Sequence, residues 1–499
     1  MDITALRHAM ASGALTAAEL TTSCLTRAQE LNPVLHAVTR LSDQALAEAA
    51  ACDQAQATGA TPGPLAGIPV LIKDNIEVRG MPATAGSPAL AEVDAHDCFL
   101  VRRLREAGAV ILGKANLSEW ANFRAMPSTS GWSTLGGQAA NPYALDRNPS
   151  GSSSGSAIAV AVGLVPLAVG TETDGSIVSP ASACGIVGIK PTVGLLSRAG
   201  IVPVSLAQDT AGPMARSVAD AAALLSVLAG HDPADPATSP AAGQPRDYTA
   251  FLDPGALAGA RLGVWRDGAR GAGTATRAVL ETALAVLREA GAETIDPVAL
   301  PGAADIEEAE LTALLWEFKH DLNAYLAGLR GPHPANLAAI IDFNTHNATT
   351  VLATFGQEIF EHAEETSGDL ADAGYRAARS AAARLARESL DRPLAEHRLD
   401  AIVALTASPA WLTDYVTGDP KTFSSSVPAA VAGYPAVCVP AGQVCGLPVG
   451  LSFIGPAWSE PRLIGLAHAF ERAATPLPAP SLAPSCQSPM GAGAGASRR

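Results

Sequence analysis

The chain has 499 residues, 48% of them hydrophobic and only 4% aromatic, with a formal net charge of −15. A chain of that size buries a large core, and its acidic balance argues against nucleic acid or an anionic membrane surface as a partner. No run of about 20 apolar residues is free of repeated Gly or Pro, so no membrane span is expected.

Residues 1 to 60 read as surface helices, with Thr16-Ala-Ala-Glu19 as a capping box ahead of Leu20, Cys24, Ala28 and Leu31 at helical spacing. The first residues lack a basic region followed by an apolar run, so no secretory leader is expected. From residue 64 strands and helices alternate: GIPVLIK (67–73), the helix CFLVRRLREAG (98–108), and AVILGK (109–114). A Gly, Asn and Ser-rich loop (116–156), a small-residue helix (156–163), the strand PLAVGT (166–171) and a helix at 216–230 follow. After a Pro/Ala-rich connection at 231–247, LGVWRD and a helix at 276–291 resume the pattern, and 303–390 reads as almost wholly helical. Strands return at 400–405, 435–442 and 449–455 before a closing helix at 460–473. The alternation predicts an α/β fold with a central sheet and helices on both faces, in one domain over 1–475. The Pro-rich and Gly/Ala-rich tail, 476–499, reads as disordered.

The seven cysteines are scattered, without CxxC or Cys/His ligand spacing. They read as reduced thiols in a cytoplasmic protein, and neither a metal nor a cofactor is implied. Of 33 basic residues only five are lysine, and Lys73, Lys114 and Lys190 sit in apolar, Gly-bordered contexts. A buried Lys can lose its proton whereas an Arg cannot, so a Lys kept there is a candidate base.

Two patterns compete for the chemistry. Gly108 to Lys114 has P-loop spacing, but Ala115 stands where Ser/Thr is required and AVIL is strand material, which makes Lys114 structural. Gly151-Ser-Ser153-Ser-Gly155 satisfies G-x-S-x-G, yet loop precedes it where a nucleophile elbow needs a strand. It also needs a histidine further on, which the chain could supply from His320, His346, His397 or His468. His96, the one histidine of 62–216, lies in a loop and reads as solvent-facing. The hydroxyl-rich run GTETDGSIVSP (170–180) therefore lacks an imidazole partner and points to another base.

Lys73 at the end of GIPVLIKDN, the cluster SGSSSGSA (150–157) and GTETDGS ending at Ser176 together resemble the amidase signature family. The likeness runs from LAGIPVLIKDNI through VGIKPTVGLLSRAGIVPVSLAQDTAGPMARSVAD to GYPAVCVPAG and PVGLSFIG, with 63–216 as the signature core. It implies the family's large mixed sheet and a Ser-Ser-Lys triad, with Ser176 as nucleophile, Ser152 as bridging serine after a cis peptide, and Lys73 as base. The chemistry of the residues agrees. A serine needs its proton removed, a desolvated Lys can accept it, and an intervening hydroxyl can donate and accept at once. Backbone amides of Thr173, Asp174, Gly175 and Ser176 can converge in one turn as an oxyanion hole. The chain departs from the family at Asp174, Ser150 and Ser154, each standing where glycine is usual; the Asp174 carboxylate lines the entrance or hydrogen-bonds its own loop.

The wording GTETDGSI, with SEWANFR and SGWSTLGGQ, is similar to the peptide amidase branch and less so to the tRNA amidotransferase subunit. The resemblance implies hydrolysis of peptide C-terminal amides or aryl amides, with carbamates as the alternative; the non-enzyme reading is a catalytically silent binding or assembly subunit. A small-molecule or short-peptide substrate and a monomer or homodimer are expected. Trp316, Phe318 and Tyr325, in a helical region (303–390) that could roof an acyl pocket, and Trp132 and Ser133 are the candidate substrate-binding residues.

Overall fold

A computed structural model describes residues 2–420 and 422–486. Its centre is an eleven-stranded mixed sheet. In spatial order the strands are Val38–Leu41, Val110–Ala115, Pro69–Lys73, Leu167–Glu172, Thr210–Ala215, Val187–Lys190, Ala436–Val444, Leu447–Ile454, Ala401–Leu405, Arg261–Val264 and Glu293–Ile295. Pro69–Lys73, Val110–Ala115 and Leu167–Glu172 are buried at every residue, as expected of strands covered on both faces. They lie side by side and parallel, so their C-terminal ends open on the same edge of the sheet. Ligand sites of α/β sheets form at such edges, where the chain leaves each strand in a loop.

Most of the predicted elements are present, with boundaries moved by one or two residues. The Thr16/Glu19 capping box is closed on both sides. The helical region resolves into Ile306–Gly328, Leu337–His346, Ala348–Val351, Glu358–Glu365 and Ala373–Glu396. Four strands of the central sheet were not foreseen, the three-residue edge strand Glu293–Ile295 among them. Val38–Leu41 interrupts the N-terminal helices as a four-residue edge strand, too short to give a period, antiparallel to Val110–Ala115. Val187–Lys190 and Thr210–Ala215 are masked in the sequence by small residues and by Pro213. That proline is tolerated because the strand on one side pairs only with Met214 and Ala215.

The C-terminal stretch also differs from expectation as far as Cys486. Pro478, Ala483 and Pro484 accept hydrogen bonds from Tyr143 Oη, Leu145 N and Asp146 N at 3.2, 2.8 and 3.2 Å. A Pro-rich extended chain leaves its carbonyls unpaired, and here they meet the donors of 143–146. The rest of the predicted tail, 487–499, lies outside the described residues. Among the described residues no helix is long and apolar enough to cross a membrane.

Candidate active site

Lys73 is the last residue of its strand and is completely buried. Its Nζ lies 2.7 Å from Ser152 Oγ, 2.8 Å from Thr171 Oγ1 and 3.1 Å from Thr171 O. Burial lowers its pKa from 10.5 to about 7, against the opposing pull of the Asp209 and Glu172 carboxylates. The three neighbours suit both charge states. An ammonium donates to all three oxygens; a neutral amine donates two hydrogens and can accept the Ser152 hydroxyl proton on its lone pair. Asn75 Nδ2 donates to Thr171 Oγ1 at 3.0 Å and steadies that hydroxyl.

Ser152 is delivered by a tight loop. The Gly151–Ser152 peptide is cis, and Ser118 N donates to Ser152 O at 3.1 Å. A side chain at 151 would put its Cβ 2.2 Å from Ser118 Oγ, so only glycine allows this approach. Ser150 adopts φ 63°, a left-handed conformation held by its amide donating to Asn148 Oδ1 at 2.7 Å.

The run 170–180 continues from strand Leu167–Glu172 into helix Val178–Ala183. Glu172 Oε2 accepts from Ile177 N (2.7 Å) and Val178 N (3.1 Å), folding the intervening residues into a tight loop. The left-handed residue in it is Gly175 (φ 73°), so Asp174 takes its place in the loop without adopting a positive φ. Among the described residues, the amides of Thr173, Asp174, Gly175 and Ser176 have no acceptor. Ser176 is 7% exposed and its Oγ has no hydrogen-bond partner among the described residues. Its carbonyl accepts from Ser153 N at 3.2 Å, tying the two serine loops together. The Asp174 carboxylate meets the Ser426 hydroxyl, and its Oδ1 is enclosed without a hydrogen bond. Burial raises its pKa to about 7.

The residues of the two competing patterns are held in structural contacts. Lys114 Nζ pairs with Asp74 Oδ1 at 3.1 Å and donates to Ile76 O and Pro82 O at 2.7 and 3.0 Å. Ser153, fully buried, donates to Thr171 O (3.0 Å) and accepts from Thr171 N (3.2 Å), which occupies its hydroxyl in both directions. The third buried lysine, Lys190, donates to Tyr434 O at 2.7 Å and Pro191 O at 3.1 Å.

Of the candidate pocket residues, Ser133 and Phe318 belong to the interior. Ser133 Oγ donates to Asn116 Oδ1 at 2.7 Å, and Phe318 stacks on Phe360 with centroids 5.2 Å apart. Tyr325 Oη donates to Glu77 Oε1 at 2.9 Å, which fastens helix Ile306–Gly328 to the sheet's loops. Trp316 is half-buried with an unpartnered indole nitrogen. Trp132 is half-buried, edge-on to Phe355, with the Arg124 guanidinium 5.1 Å above its ring. Its cavity, shared with Asn122 and Thr129, holds only about 10 Å³. Thr171, Asn75, Gln208 and Asp209 carry no signal of the site in the sequence, since each reaches it through contacts between segments distant in the chain.

Residues 19–464 match the amidase family, and the chain belongs to the amidase signature family. The native peptide amidase of Stenotrophomonas maltophilia has the same fold, with a TM-score of 0.91, 50% identity, and coverage of 96% of this chain and 99% of that one. A probable amidase of Arabidopsis thaliana is 42% identical over 94% of this chain and 89% of its own length. A glutamyl-tRNA(Gln) amidotransferase subunit of Chloroflexus aurantiacus is 35% identical, covering 95% and 96% respectively.

Proposed function

We propose that this protein hydrolyses the C–N bond of peptide C-terminal amides or aryl amides through an acyl-enzyme on Ser176. The observation that carries the reading is the completely buried Lys73 amine, 2.7 Å from Ser152 Oγ, with a pKa lowered to about 7. Ser176 Oγ attacks the carbonyl carbon, and its proton passes through Ser152 Oγ to neutral Lys73 Nζ. The Ser176–Ser152 contact this requires closes in the reacting complex, as catalytic hydrogen bonds commonly do. The unpaired amides of 173–176 receive the oxyanion as the carbonyl π bond opens. Collapse breaks the C–N bond, and the proton returns from Lys73 through Ser152 to the departing nitrogen. Water then adds to the acyl-enzyme, giving its proton to the same relay. Breakdown expels Ser176 Oγ, which takes that proton back as the carboxylic acid departs.

Amide rather than carbamate substrates are favoured by the 50% identity to a peptide amidase along nearly the whole chain. A fluorophosphonate probe should label Ser176, and ammonia should be released from a peptide amide. A label on Ser153, or none on Ser176, would overturn the assignment; release from an aryl carbamate but from no amide would overturn the substrate class.

A further inference from the structure

Thr173 opens the loop whose amides are unpaired, and two consecutive residues from elsewhere in the chain hold it. Gln208 Nε2 donates to Thr173 O at 3.1 Å, and Thr173 Oγ1 donates to Asp209 Oδ1 at 2.5 Å. The antiparallel register that sets Thr210 opposite Glu172 brings the two segments together. The gripping loop is itself fixed. Asp209 Oδ2 accepts from Val204 N (2.8 Å) and Ser205 N (3.0 Å), and Ser205 Oγ donates to Glu317 Oε2 at 2.6 Å. Gln208 also reaches both long helices, donating to Glu310 Oε1 at 2.5 Å and accepting from Arg379 Nη1 at 2.9 Å. Its amide thus has a partner on each side and a single orientation that satisfies them.

We infer that Gln208 and Asp209 form a two-point clasp on Thr173 and are positioning residues that aim the amides of 173–176 at the developing oxyanion. The inference rests on the acyl chemistry proposed for Ser176. Neither residue touches the reacting atoms. A carbonyl held from one side and a hydroxyl from the other fix the plane of the 173–174 peptide, and misdirected donors lose most of their effect on a transition state. The grip also makes helices Ile306–Gly328 and Ala373–Glu396 part of the support for the catalytic loop.

The test compares wild type, Gln208→Met and Thr173→Val by the rate of fluorophosphonate labelling at Ser176, kcat and KM on a peptide amide, and melting temperature. Gln208→Met should label and turn over about 10- to 100-fold more slowly, short of losing an oxyanion donor outright, with KM within about threefold of wild type. Thr173→Val should behave alike, and the double variant should be less than the product of the two because both loosen one unit. Wild-type labelling by folded Gln208→Met, or a raised KM with unchanged kcat, overturns the clasp. If Gln208→Met does not fold, Gln208→Glu keeps the side-chain length and the Arg379 contact but has no donor for Thr173 O, and wild-type labelling there overturns it equally. Absence of label on wild-type Ser176 would instead defeat the nucleophile assignment.

Discussion

Lys73 and Lys114 stand on adjacent parallel strands, one register step apart, and both are almost completely buried. Burial lowers the pKa of both. Their partners differ. Lys114 faces a carboxylate and two carbonyls, all of which only accept, so the amine stays an ammonium and works as a structural tie. Lys73 faces two hydroxyls and one carbonyl, and a hydroxyl can turn its proton toward the amine. In the mechanism proposed for Lys73, desolvation alone therefore does not make a base; a proton-exchanging partner in place of a carboxylate does.

The largest effects should fall on the Lys73 side of this pair. Ser176→Ala and Lys73→Met should each lower kcat by about 10⁴-fold or more with little change in melting temperature. Turnover within tenfold of wild type in either would mean that the two lysines do not differ in function. The base must be neutral to act, and the fraction of neutral amine grows as pH rises through a pKa of about 7. Hence kcat/KM should climb by about tenfold per pH unit below that value and level off above it. A profile falling through pH 7 as pH rises would call for a protonated Lys73.

Lys114 should show the reverse, stability lost before chemistry. Lys114→Met leaves Asp74 as a buried carboxylate whose remaining donors are Thr84 Oγ1 at 2.6 Å and Thr39 Oγ1 at 3.2 Å. Removing one partner of a buried ion pair costs about 3–5 kcal/mol, measurable by denaturant titration. Adding Asp74→Asn should return part of the loss, because no unpaired charge is then left in the interior. A single variant as stable as wild type would show that the pair carries nothing.

The two lysines also mark how far the sequence could be read. Lys73, Ser152 and Ser176 stand out in the sequence because the chemistry proposed for them restricts each to one or two residue types in a recognisable local setting, and the structure brings Lys73 Nζ within 2.7 Å of Ser152 Oγ. Asp74 beside Lys73 suggests an ion pair, but the parallel register gives that carboxylate to Lys114. Gln208 and Asp209 were unreadable for the same reason: their task depends on a strand return that places them against Thr173, and Pro213 hides that strand. Phe318 looked like a pocket residue because helical spacing reports a buried face without saying what covers it. Here the cover is Phe360 and Phe123.

The smallest predicted effect probes the partner argument most directly. Thr171 Oγ1, 2.8 Å from Lys73 Nζ, already accepts from Asn75 Nδ2. With its second lone pair turned to the amine, it stabilises the ammonium more than the neutral form. Thr171→Val removes that acceptor and keeps the shape, so the pKa of Lys73 should fall further. The midpoint of the pH–rate profile should then move down by about one pH unit, the equivalent of a hydrogen bond worth about 1.4 kcal/mol. The plateau should drop a few-fold because the base is weaker, so the two curves should cross, with the variant a few-fold faster in acid and a few-fold slower in alkali. A midpoint that moves up would mean that the Thr171 hydroxyl donates to the neutral amine, leaving Ser152 without the lone pair it needs, and the relay through Ser152 would have to be redrawn.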